Sequence, residues 1–132
     1  MAQQQYQQLQ QLQQQSQQIE EYLQQLEQTR TQLNESKQAV RDLQDVEEGQ
    51  EILASIGAGA FVKAEVKNTE KVISNVGGDV FEERSNEGAA NVLEKQLTLL
   101  QDTQEELREQ MQNIKQQMQQ IQQQMQEQQQ KQ

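Results

Sequence analysis

Starting at Leu12 and stepping seven residues at a time gives Leu12, Ile19, Leu26, Leu33 and Val40, an unbroken apolar row through the first third of the chain. The interleaved row reads Leu9, Ser16, Leu23, Arg30 and Lys37. A repeat of seven carries an apolar seam along one side of a helix, too narrow to face a globular core and suited to one partner helix. Its handedness follows as well, because a strict seven-residue period winds paired helices into a left-handed supercoil.

The last third repeats the pattern. Leu93, Leu100, Leu107, Ile114 and Ile121 form one row, and Leu97, Gln104, Met111, Met118 and Met125 the other, so nine of these ten positions are apolar. Each arm is about forty residues, roughly 60 Å of helix at ~1.5 Å per residue. The chain has no proline, and all six glycines fall between Gly49 and Gly88, so neither arm is interrupted. A Gln-rich segment would read as low-complexity disorder if it had no period; here the period argues for helix.

If the middle is compact, the arms pair antiparallel, with Val46 near Ala89 and paired positions summing to about 134. That sets Leu26 against Leu107 and Leu9 against Met125. It also places Arg30 and Gln104 in one polar layer, a device that fixes register at a cost in stability.

The middle segment changes character. Residues 51–56 and 60–66 are apolar runs about Gly57-Ala58-Gly59, and 71–76 and 79–84 flank Gly77-Gly78; each set reads as a β-hairpin. Ser85 or Asn86 then caps the second helix, with Glu87 well placed in its first turn. Gly57 and Gly59 do not make a phosphate loop, since no helix follows and no Lys-Ser or Lys-Thr completes the motif. The expected fold class is therefore α+β: a long antiparallel two-helix coiled coil joined by two β-hairpins. The divisions are 1–48 for the first helix, 49–85 for the hairpins and 86–132 for the second helix.

Four short strands with so little apolar surface cannot form a core alone, and their open edges invite other chains. Ile52, Leu53, Ile56, Phe61, Val62, Val66, Val72, Ile73, Val76, Val80 and Phe81 are the expected oligomerisation residues, joining strands into a barrel-like body.

Composition narrows the function. A formal net charge of −10 without a basic cluster disfavours nucleic acid. With no Cys and no His, the usual nucleophile, general base and metal ligands are missing, so neither catalysis nor a metal or other cofactor is expected. Arg30 and Lys37 lay their stems over the seam, and Glu82, Glu83, Glu105 and Glu106 read as solvated surface. No segment approaches a membrane span and the N-terminus lacks a signal-peptide pattern, which makes the cytoplasm the expected location.

Helix, two hairpins and helix, with Gly57-Ala58-Gly59-Ala60-Phe61-Val62-Lys63-Ala64-Glu65 and Val76-Gly77-Gly78-Asp79-Val80, resembles the alpha subunit of the archaeal prefoldin family over nearly the whole chain. The resemblance implies a hexamer of two alpha and four beta subunits with a double β-barrel body and projecting coiled coils. It further implies that the coil tips hold unfolded proteins without ATP and pass them to a group II chaperonin. No charged residue lies between Met1 and Gln18 or between Gln116 and Gln126, and the antiparallel alignment joins these stretches. Tyr6, Leu9, Leu12, Met118, Ile121 and Met125 are accordingly the expected client-binding set, methionine being flexible and polarizable enough to suit varied partners. The competing expectation is a coiled-coil adaptor or tether without client binding, in which these residues only complete the seam.

Overall fold

A computed structural model describes residues 2–130 of the chain. The element order is α1 (Ala2–Leu43), β1 (Glu51–Gly57), β2 (Ala60–Glu65), β3 (Lys71–Gly77), β4 (Val80–Ser85) and α2 (Asn86–Gln130). The α+β fold class holds: a long helix precedes and a long helix follows two antiparallel hairpins. α1 ends at Leu43, and 3₁₀-type backbone bonds from Gln44, Asp45 and Val46 back to Arg41, Asp42 and Leu43 close it.

By its contacts the chain divides into two compact units. One contains residues 1–30 and 98–132, and the other residues 31–97. In the first, the half-buried positions of α1 are Gln5, Leu9, Leu12, Ser16, Ile19, Leu23, Leu26 and Arg30, spaced alternately three and four apart as a heptad seam requires. The matching positions of α2 are Leu100, Gln104, Leu107, Met111, Ile114, Met118, Ile121 and Met125. Leu100 and Ile114 are buried there, whereas nothing in α1 is fully buried. Ser16 Oγ donates to Met111 Sδ across the seam at 3.2 Å.

In the second unit, β1 pairs with β2 and β3 with β4, as separate two-stranded sheets. The first ladder runs from Glu51↔Glu65 to Ser55↔Phe61, then slips to Gly57↔Ala60. Beyond β2, Val66 N donates to Gln50 O and Gly49 N to Val66 O, which carries the pairing one step further. The second ladder repeats the first, from Lys71↔Ser85 to Asn75↔Phe81 with the same slip to Gly77↔Val80. Every pairing is offset by 20 residues from its counterpart (Leu53 with Ile73, Phe61 with Phe81), so the hairpins are one structural motif used twice. Even the local bond recurs: Gly57 N donates to Ser55 Oγ at 3.4 Å, and Gly77 N to Asn75 Oδ1 at 2.8 Å.

The junction into α2 is built on two side chains. Ser85 Oγ accepts from Gly88 N at 3.0 Å, an N-cap of the usual kind. A Cβ at Gly88 would meet that oxygen at 3.0 Å, so glycine keeps the cap unhindered. Asn86 is 4% exposed; its amide donates to Thr69 O and its backbone N to Glu70 O, tying the linker between the hairpins to the helix start.

Candidate functional site

Two surfaces carry exposed apolar groups, one in each unit. In the hairpin unit, Leu53, Ile56, Phe61, Ile73, Val80 and Phe81 are all more than half exposed, and Ile52, Val62 and Val76 only slightly less so. Val66 and Val72 are half-buried. Strand alternation puts Leu53 and Phe61 on one face of the first hairpin, and Ile52 and Val62 on the other. A two-stranded ribbon cannot cover either of its own faces, so both remain open within one chain.

The second hairpin differs. Its Val72, Ser74 and Arg84 line a groove of about 570 Å³ with Val40 of α1 and Ala89, Val92 and Leu93 of α2. Arg84 pairs with Glu82 at 3.6 Å while its buried Nε carries no partner. In the same unit Lys37, a charge in the seam row, reaches Glu94 of α2. That hydrogen bond, reinforced by the ammonium charge, holds the Glu94 carboxyl below its ordinary value.

In the coil unit, the six client-binding candidates fall into two groups. Tyr6 is 61% exposed. Leu9, Leu12, Met118, Ile121 and Met125 are half-buried, each at a seam position. The fold brings them together in part: Ala2, Gln5, Tyr6, Met125, Gln128 and Gln129 line one groove. Leu12 and Ile121 form the floor of a second, walled by Gln8, Gln11, Gln15, Gln117 and Gln120. Gln5 Oε1 is buried without a partner beside Tyr6.

The glutamine walls were missed as site residues. Their signal was available, since Gln8, Gln11, Gln15, Gln117 and Gln120 each immediately precede a seam position and so flank it on one side. The Arg30–Gln104 layer also takes a different form from the one expected. Gln104, 3% exposed, donates from Nε2 to Glu27 Oε2 at 3.2 Å, and Arg30 meets the same carboxylate at 3.6 Å. The polar layer is therefore centred on Glu27.

Among the described residues no group of His, Cys, Asp or Glu is arranged to hold a metal, and no helix is long and apolar enough to cross a membrane. Nothing in either surface assembles a nucleophile with a base.

Comparison with known proteins places this architecture. The family model described as Prefoldin subunit matches residues 7–131. The chain is similar to a Prefoldin subunit alpha of Methanococcus maripaludis, 37% identical over 68 residues, which are 52% of this chain and 47% of the relative. It is also similar to those of Halorubrum lacusprofundi, 35% identical over 71 residues (54% and 47%), and Methanothrix thermoacetophila, 40% identical over 55 residues (42% and 36%). The matches thus span about half the length of these curated relatives or less. Among solved structures, a chain of the cryo-EM structure of filamentous PFD from Methanocaldococcus jannaschii has the same fold. Its TM-score is 0.81 at 20% identity, over 88% of this chain and 96% of that one. On a family match running through both helices and both hairpins, this chain belongs to the prefoldin subunit family, a family of chaperone subunits and not of enzymes.

Proposed function

We propose that the chain is the alpha-type subunit of an ATP-independent holding chaperone, binding unfolded proteins through the N-terminal stretch of α1 and the C-terminal stretch of α2. The observation that carries this reading is the groove shared by Tyr6 and Met125, where an exposed tyrosine and a half-buried methionine from opposite ends of the sequence meet among uncharged amides. An apolar floor without fixed charges accepts many sequences, which a holding chaperone must do. Tyr6, Leu9, Leu12, Met118, Ile121 and Met125 make the contacts. Half-buried seam residues near the end of a two-stranded coil become available as the ends fray.

The hairpins join beta-type subunits. Both faces of the first hairpin and the Ile73–Phe81 face of the second are open, and strand addition at open edges is the standard remedy. In the assembly of two alpha and four beta subunits, the held protein passes to a group II chaperonin in the cytoplasm.

A coiled-coil adaptor is the second reading, favoured by the seam positions of five of the six contact residues. One experiment separates the two. The chain, assembled with a beta-type partner, is tested for suppressing aggregation of a chemically unfolded model protein without ATP, beside an assembly lacking residues 1–12 and 118–132. Suppression by the intact assembly alone supports the chaperone reading; absence of suppression from both leaves the adaptor.

A further inference from the structure

The groove over Leu12 and Ile121 has a twin. Gln15, Gln18, Ile19, Gln110, Asn113, Ile114 and Gln117 line the second, and each of its main positions lies one heptad from the first. Gln8, Gln11 and Leu12 become Gln15, Gln18 and Ile19 on α1, while Gln117, Gln120 and Ile121 become Gln110, Asn113 and Ile114 on α2. Gln15 and Gln117 line both, so the two make one trough with a floor that repeats every seven residues, about 10.5 Å along the helices.

That period decides what shape fits. A β-strand returns a side chain to the same face about every 6.7 Å, and a polyproline helix about every 9.3 Å. An α-helix with a heptad of apolar residues returns one every 10.5 Å or so, in step with the floor. The seam is also incomplete: Leu12, Ile19 and Ile121 remain half-exposed with both helices in place. A third helix laid in the trough would finish covering them, as the third strand of a coiled coil does.

The walls set the chemistry. All eight wall residues are Gln or Asn, and all are exposed. In coiled coils the flanking positions choose partners by charge; here the choice is withdrawn, leaving neutral amides that both donate and accept.

We propose that this trough takes an amphipathic helical segment of a client chain as a third coiled-coil strand, selecting it by heptad spacing and not by charge. The inference rests on the client-binding reading above and names the client class for that site.

The test uses the full-length chain and fluorescent 21-residue peptides of one neutral composition (Leu, Ala, Gln, Ser), with leucine in heptad, alternating or every-third spacing. Anisotropy gives Kd and far-UV circular dichroism of the mixtures gives helix gained on binding. The heptad peptide is expected to bind at least about tenfold more tightly than either other and to gain helix. Its Kd should change less than about twofold between roughly 50 mM and 500 mM salt. In the Gln11→Glu/Gln120→Glu variant, altered only at exposed positions, a Lys-flanked heptad peptide should gain over the neutral one at low salt, a preference the parent lacks. Equal binding of the three spacings, binding without helix gain, or an unchanged neutral-to-Lys ratio in the variant each overturns the proposal. Aggregation suppression is measured on the same preparation: a chain that holds an unfolded protein yet ignores spacing loses this inference alone, and one that does neither loses the chaperone reading too.

Discussion

Ala58 has φ of 51° and Gly59 has φ of 78°, so both central residues of the first hairpin turn are left-handed. Two left-handed residues twist a two-residue turn in the sense the strands need, and Asn-Gly is the pair that does so most easily. Alanine in that region is opposed by its Cβ, at a cost of about 1 kcal/mol. The second hairpin avoids the cost, since Gly78 at the equivalent place has φ of 57°. Ala58→Asn is therefore expected to stabilise the chain by up to about 1 kcal/mol, seen as a rise in Tm of roughly 2–4 °C. Ala58→Val, β-branched in the same conformation, should lower it; a rise with valine would mean the turn has another geometry.

At the scale of the element, the Glu27–Arg30–Gln104 layer interrupts an otherwise apolar seam. Gln104 is buried and satisfied by one bond to Glu27, whereas Glu27 and Arg30 keep substantial contact with water. A polar residue at such a position gives up stability in exchange for a single register. Gln104→Leu should accordingly raise stability by about 1–2 kcal/mol in thermal unfolding, because Glu27 retains Arg30 and solvent. A fall would show that the Gln104–Glu27 bond is worth more than the buried area. The heptad rows were fully legible, since a period of seven in ten positions per arm leaves few competing structures. So were both hairpins, from the glycines at their turns. Which carboxylate Gln104 meets was not legible, because a register read from summed positions is uncertain by a few residues, and Glu27 lies one turn from Arg30. The grooves were hidden for a related reason: the floor is in the seam pattern, but wall residues acquire meaning only when two helices bring them together.

Across the whole molecule, few side chains are deeply buried: Ala89, Leu97, Leu100 and Ile114 are the apolar ones among the described residues. A chain with so small a core gains little from folding alone, and association becomes part of its stability. The hairpin motif, used twice, supplies the surface. Leu53 with Phe61 and Ile73 with Phe81 occupy equivalent places on the two ribbons. The charges beside them are reversed between copies, with Glu51 and Lys63 in the first and Lys71 and Glu83 in the second. Each face thus carries one charge of either sign, and in the first Lys63 meets Glu51 at 3.9 Å, so the apolar pairs and not the charges supply the drive to associate. Phe61→Ser/Phe81→Ser removes the largest apolar group from each face while leaving both turns and both helices unchanged. Sedimentation of this variant mixed with a beta-type partner is expected to show loss of the assembled species, with helical content retained by circular dichroism. Assembly at the parent's mass would place the subunit contacts away from these faces, on the open strand edges alone.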